Sequence, residues 1–392
     1  MTVPAASARR RAIHLLGVLL FVVLVCLPAA DGFFHLSPPV NLMEPDPGPP
    51  PALSLNPTTW EAGFRTLRKG YLERAFGFRK LLVRSENAMD IFWLDSSSED
   101  HPVLAGRDQW LFLARENHET NVVEDYRSFR LFSPGELAAW VAEFTARRDW
   151  LAGLGIRYLV VVAPNKHGIY PEKLPERLRR AGPVSRTDQL VAALRQARVD
   201  VVDLRPILLE VKKTRQAYYR TDSHWTPHGA YAAYLEIMRA LSRHFPRFAD
   251  EVRRDYDATP LAGSKGGLAP MLGLEDLFPE EKFVYVPRGG FRSHPRDDSR
   301  AGSPEDFQPA EVRENPDATL PRAVVFRDSF CHELIPFLSE HFSRVVYLWP
   351  FPSNPRQMRR FEREVVERER PQVVVDEFVE RYFTQFPPDA PR

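Results

Sequence analysis

From Ser133 onward the chain returns again and again to one arrangement, a helix followed by a short apolar strand. Ser133-Pro134-Gly135-Glu136 is a capping box with proline at the first helical position. The helix it opens runs through Trp140, Phe144 and Trp150 to Gly153 or Gly155, and residues 156–163 follow as an apolar strand. Residues 187–198 and 199–204 repeat the helix–strand pair. Strands return at 323–326, 344–348 and 372–375, with a charged helix at 355–368 between the last two. Such alternation predicts a parallel sheet with helices on both faces. Ligands of an open sheet of this kind bind at the carboxyl ends of its strands. Pro164-Asn165-Lys166-His167 leaves the first strand there.

Two stretches carry residues suited to chemistry. The first is Thr221-Asp222-Ser223-His224-Trp225-Thr226-Pro227. In extended backbone, residues two apart project to the same side, so Asp222 and His224 face one site while Trp225 turns inward. Thr226 caps a helix at 227–244, and Pro227 takes its first position, where a missing N–H costs nothing. The second stretch is Phe326-Arg327-Asp328-Ser329-Phe330, where an apolar strand breaks into a helix-like segment. Ser329 at that turn lies near free backbone N–H groups that can hold an oxyanion. These residue types predict a triad in which His224 takes the Ser329 proton and Asp222 orients the imidazole.

Other readings compete for the same residues. Ser329 alone fits a helix cap. Asp222, His224 and His228 have spacing that metal sites use, although Pro227 and a helix start separate the histidines. Lys166 reads as a ligand for a substrate carboxylate or phosphate, or as a solvated loop residue. Arg327 reads as a surface residue or as a guanidinium aimed at an anionic substrate. Asp328 fits a turn-bonding role, Cys331 a buried structural thiol, and Trp110 and Trp225 core aromatics.

The rest of the chain sets the context. Arg9-Arg10-Arg11 precede an uncharged apolar run, giving a membrane anchor or signal over 1–30 with a cytoplasmic N-terminus. A proline-rich linker spans 31–59, a helical and hairpin lead-in spans 60–132, and a catalytic domain spans 133–382 with an insertion at about 246–320. Residues 383–392 form a tail. The 392 residues carry a net charge of +1, which gives no case for nucleic acid as a partner. Two cysteines, Cys26 in the apolar run and Cys331 beside the candidate nucleophile, do not make a disulfide framework.

Taken together these motifs resemble the periplasmic O-acetyltransferases of alginate and related exopolysaccharides, the AlgJ/AlgX type. The resemblance rests on Asp222-Ser223-His224-Trp225 and Arg327-Asp328-Ser329-Phe330, where the family has Gly-Asp-Ser-Phe. It also rests on Gly106-Arg107-Asp108-Gln109-Trp110-Leu111-Phe112 and on Pro164-Asn165-Lys166 with Tyr170-Pro171-Glu172. Arg327 replaces the family's glycine, and Gly266-Gly267-Leu268 stands where relatives have Gly-Asp-Leu. The resemblance implies an SGNH-hydrolase-like, circularly permuted α/β fold with Asp222, His224 and Ser329 as the triad. It implies transfer of acetyl groups to an exported polysaccharide, with no cofactor and no metal. The partners it implies are the exopolysaccharide acceptor and a membrane-bound O-acyltransferase that supplies acetyl groups. The location it implies is the periplasm, with an N-terminal helix in the inner membrane. A carbohydrate acetylesterase, or a non-catalytic polysaccharide-binding scaffold of an acetylation complex, fits the same residues.

Overall fold

A computed structural model of the protein describes residues 5–42, 61, 63–65, 67, 68, 71, 73–94, 101–116, 120–252, 256–261, 266–302, 306, 308–351 and 360–384. Most of the expected proline-rich linker, most of the C-terminal tail and the start of the expected 355–368 helix lie outside these residues. The chain divides into two compact units, Met1–Ser97 with Ala269–Leu277, and Ser98–Leu268 with Phe278–Arg392.

In the first unit, the N-terminal apolar run is the interior of a helix, Ala5–Phe34. Its stretch Arg10–Gly32 has 23 residues, and an 18-residue window within it reaches a mean hydropathy of 2.7, long and apolar enough to cross a membrane. At 1.5 Å per residue that is roughly 35 Å, enough for the ~30 Å hydrocarbon core of a bilayer. A second helix, Arg79–Met89, lies within the amphipathic stretch of the lead-in. Asn87 donates to the Leu272 carbonyl at 3.0 Å, and Arg84 pairs with Asp276 at 2.8 Å.

The second unit is built on a seven-stranded sheet. In chain order the strands of this unit are β1 (Val103–Ala105), β2 (Leu111–Leu113), β3 (Arg157–Ala163), β4 (Val201–Asp203), β5 (Tyr256–Leu261), β6 (Lys282–Pro287), β7 (His294–Arg296), β8 (Glu311–Glu314), β9 (Arg322–Phe326), β10 (Arg344–Leu348) and β11 (Val373–Val379). The large sheet has the order β4-β3-β11-β9-β10-β8-β7. Its first five members are mutually parallel, as the alternation predicts. β8 and β7 add antiparallel strands at one edge, so the whole sheet is mixed. Both come from the segment expected to be an insertion, in which the sequence predicts a strand only at 282–286. A second part of that segment pairs β5 with β6, and β1 with β2 forms the expected hairpin.

Period-2 alternation divides the core into two layers. Leu159, Val161 and Ala163 of β3 join one cluster with Val325 and Val375, packed against Ala230, Ala233 and Ile237 of the helix Pro227–Leu241. Val160 and Val162 join the other, packed against Trp140 and Phe144 of the helix Pro134–Gly153. The Ser133–Glu136 capping box forms in full, and Thr226 caps the Pro227 helix.

β11 runs four residues beyond the expected end at Val375, because Asp376 and Glu377 read as a strand terminus and are in fact buried. Asp376 accepts from Arg147 at 2.8 Å and from the Tyr158 hydroxyl at 2.7 Å. Glu377 accepts from the Asp328 N–H at 2.9 Å. Partners from three distant segments satisfy these carboxylates, and local sequence carries no trace of that.

Candidate active site

β9 and β3 end on the same side of the sheet because they are parallel to the β11 strand between them. Ser329 leaves the end of β9 as the first residue of a short 3-10 segment, Ser329–Leu334. Asp328 shapes this turn. Its Oδ1 accepts from the Phe330 N–H at 2.8 Å and its Oδ2 from the Val379 N–H at 2.6 Å. The structural role expected for Asp328 is thus visible in its bonds. The Phe330 N–H, one of the donors expected for an oxyanion, is committed to Asp328.

The Asp222–His224 loop arrives from the other direction, anchored by Trp225. That side chain is fully buried and meets Phe330 edge-on at 5.1 Å. Burying so large an aromatic contributes roughly 1.5–3 kcal/mol to holding the loop against the core. The loop and the turn then meet. His224 Nε2 lies 2.8 Å from Ser329 Oγ, and His224 Nδ1 lies 2.8 Å from Asp222 Oδ1. A second bond to Asp222 Oδ1 comes from the His224 backbone N–H at 3.2 Å.

The other Asp222 oxygen is equally occupied. Oδ2 accepts from Lys282 Nζ at 2.8 Å and from the Gly267 N–H at 2.9 Å. Burial opposes ionisation of Asp222, but the hydrogen bonds and charges of His224 and Lys282 outweigh it. They hold the carboxyl well below its ordinary value. Glu280, two residues before Lys282, accepts from the Arg220 N–H at 2.5 Å, the Thr221 N–H at 2.8 Å and the Thr221 hydroxyl at 2.5 Å. Gly266 explains the glycine pair noted in the sequence. A Cβ there would sit 2.0 Å from Thr221 Oγ1, so only glycine lets this strip lie against the loop.

Two of the residues proposed for substrate binding have other work. Lys166 is 2% exposed and donates to the carbonyls of Tyr219, Arg220 and Asp222 at 3.0, 3.1 and 2.6 Å. All three ammonium protons are used, so Lys166 is a clamp on the loop and not a substrate ligand. Burial pushes its pKa down to about 7, against the opposing charges of Asp222 and Glu280. Arg327 is 4% exposed, with its guanidinium carbon 5.2 Å from the centre of the Trp349 ring. It packs as a buried cation on an aromatic face and does not project from the turn. The position that is glycine in the resembled family thus accommodates an arginine by laying it along the end of β10.

His228, the third residue of the metal alternative, contacts Arg215 and the Tyr285 hydroxyl. Among the described residues no group of three His, Cys, Asp or Glu is arranged to hold a metal ion. His167 is buried between Phe112 and Tyr126, and burial pushes its pKa down to about 3. Burial likewise pushes the Cys331 thiol well up.

Beyond the expected triad, the site includes Lys282, Glu280 and Gly267 from the presumed insertion. A further group is Arg381, whose guanidinium carbon lies 5.5 Å from the Phe330 ring centre and whose Nε pairs with Glu116 at 2.6 Å. Tyr382 donates to the same Glu116 carboxylate at 3.0 Å. Glu280-Glu281-Lys282 is a run of charge in the sequence, but nothing local points it at a loop about sixty residues earlier.

A mostly parallel sheet with a Ser–His–Asp arrangement at its strand ends places the second unit among SGNH-hydrolase-like α/β proteins. Residues 103–303 match the family profile described as SGNH hydrolase-like domain, acetyltransferase AlgX. This is more than half of the chain, which belongs to that family. The matched span contains Asp222, His224 and Lys282, and Ser329 follows it.

An AlgJ protein of Pseudomonas putida, described as a probable alginate O-acetylase, is 31% identical over 176 residues, 45% of this chain and 43% of that one. The alginate biosynthesis protein AlgX of Pseudomonas aeruginosa is 26% identical over 161 residues, 40% of this chain and 31% of that one. The chain thus spans less than half the length of these relatives. The solved structure of Bacillus cereus PatB1 with a sulfonyl adduct covers 74% of this chain and 100% of its own, with a TM-score of 0.50 and 16% identity. That likeness shows the fold.

Proposed function

We propose that the protein is an O-acetyltransferase that moves acetyl groups onto hydroxyls of an exported polysaccharide through an acyl-Ser329 intermediate. The carrying observation is the Asp222–His224–Ser329 chain, with both imidazole bonds at 2.8 Å. Ser329 Oγ attacks the carbonyl carbon of the acetyl donor while its proton passes to His224 Nε2. Collapse of the tetrahedral intermediate expels the donor's leaving group, which takes that proton from His224. A sugar hydroxyl then attacks acetyl-Ser329, giving its proton to His224, and Ser329 leaves by taking the proton back. Asp222 keeps the Nδ1 proton in place and stabilises the imidazolium formed in each half-reaction.

The acceptor class comes from the relatives named for alginate acetylation and biosynthesis. The helix containing Arg10–Gly32, with Arg9–Arg11 on its N-terminal side, supports an inner-membrane anchor and a periplasmic body. A body so placed needs a donor that delivers acetyl groups across the membrane, for which a membrane-bound O-acyltransferase is the partner.

The test is mass spectrometry of the purified protein incubated with an activated acetyl ester. The expected result is an acetyl group on the Ser329 peptide that moves to an added polysaccharide. Acetyl-Ser329 that is released only to water would establish an esterase instead. Absence of the adduct would leave a binding scaffold.

A further inference from the structure

A groove of about 710 Å³ runs along the open edge of the sheet beside β4. Its floor is apolar, with Leu159, Val199, Val202 and Leu241. Its charges are unevenly matched. Four acidic residues line it and each has a partner. Asp203 is held by Arg205 at 2.7 Å, Glu236 by Arg239 at 2.5 Å and Glu210 by Lys213 at 2.5 Å, while Asp200 lies 3.3 Å from His244, a cation only when protonated. Four arginines in the same lining, Arg157, Arg195, Arg198 and Arg243, are exposed and have no ion pair among the described residues. The groove therefore presents an excess of guanidinium groups around an apolar floor.

The placement of these arginines separates the groove from the candidate active site. Arg157 opens β3, and Arg195 and Arg198 lie just before β4. Arg243 follows the C-terminal end of the Pro227–Leu241 helix. Ser329 and Lys166 follow the opposite, carboxyl ends of parallel strands. β3 has seven residues, so the arginines lie roughly 20 Å from that end. Arg198 is also held with φ +57°, at a helix C-terminus where glycine is the usual residue. The turn carries a charged side chain at a conformational cost that glycine would avoid.

We propose that this groove docks an acidic polysaccharide, with sugar faces on the apolar floor and uronate carboxylates paired to Arg157, Arg195, Arg198 and Arg243. Guanidinium forks match carboxylates bidentately, which suits a chain of regularly spaced acids. A concave channel receives a polymer strand, whereas a bilayer surface needs a flat or convex face. The proposal draws on the polysaccharide reading for the class of ligand alone. Docking is measured without any transfer, so failure of docking and failure of acetyl transfer are separate results.

The experiment measures binding of polygalacturonate, uncharged dextran and anionic phospholipid vesicles to the full-length protein in detergent, at increasing salt. The comparison is with Arg195→Glu/Arg243→Glu and with a control reversal at Arg177 and Arg288, outside the groove. Binding of polygalacturonate alone, weakened by salt and reduced tenfold or more only by the groove variant, is the expected outcome. Equal binding of dextran, equal loss in the control variant, or vesicle binding that depends on the groove arginines in place of polymer binding would overturn it. A far-ultraviolet circular dichroism spectrum and melting curve confirm that both variants are folded, so unchanged polymer affinity in the groove variant also refutes the proposal.

Discussion

The two halves of the candidate active site are held in place by different physics. The Ser329 turn is fastened by two carboxylates that accept from neutral backbone N–H groups, within the turn and on β11. Asp328 bonds Phe330 and Val379, and the Asp328 N–H bonds Glu377, all within the buried centre of the sheet. The Asp222–His224 loop is fastened by charged side chains from elsewhere. Lys166 grips its carbonyls, Glu280 its N–H groups, and Lys282 the Asp222 carboxylate. The nucleophile is thus tied into the sheet by buried N–H to carboxylate bonds, whereas the base sits on a loop held also by the lysine cations of Lys166 and Lys282. Substitutions in the turn should act on folding, and substitutions around the loop should act on chemistry and its pH dependence.

The largest effect is expected where the halves must act together. Ser329→Ala and His224→Ala should each lower acyl-enzyme formation by about 10⁴-fold or more, and the double variant should lose little further, since triad members act as a unit. Rapid-quench mass spectrometry of the Ser329 peptide checks this. Independent, multiplying losses would mean that the two halves do not form one catalytic device.

Next comes stability at the turn. Asp328→Ala strips acceptors from two buried N–H groups, each orphan costing about 1–3 kcal/mol, so the protein should lose about 2–6 kcal/mol in denaturant unfolding. Glu280→Ala, on the partly exposed side of the loop, should cost less stability while slowing acylation. The reverse ranking would break the comparison.

The Lys282 contact should be visible in pH. Asp222 has a folded pKa well below its unfolded value of about 3.9, so the folded state binds fewer protons. Its stabilisation is present above pH ~4 and is lost as pH falls through the folded pKa. Lys282→Met removes one source of that depression. It should cost about 1.5–3 kcal/mol near neutrality, the worth of a charged hydrogen bond. The remaining acid-dependent loss should also begin at higher pH than in the wild type. Unfolding curves measured between neutral pH and the acid transition test this, and an unmoved acid limb would show that Lys282 does not set the Asp222 charge.

The smallest effect is expected right beside the nucleophile. Cys331 is fully buried with its thiol pushed up, so iodoacetamide at neutral pH should leave acyl-enzyme formation unchanged. Inactivation protected by Cys331→Ala would show that the turn opens more readily than its bonds imply.

What the sequence determined by itself is the set of features that depend on near neighbours. Capping at Ser133 and Thr226, the apolar strands β3, β9 and β10 and the strand–helix alternation all arise from spacings of a few residues. So does the hairpin of β1 and β2. Asp222 and His224, by contrast, meet across a bend and not along the extended backbone expected of them. Periodicity and capping act within a turn or a strand, and that is why they are legible. The tertiary structure alone decided what depends on distant charge. It turned Lys166 inward as a clamp and laid Arg327 on Trp349. It extended β11 through Asp376 and Glu377, and brought Lys282 and Glu280, at and just before the start of β6, to the catalytic strip. A buried charge is stable only with its partner in place, and here the partners lie tens to hundreds of residues away. Only the folded chain brings them together.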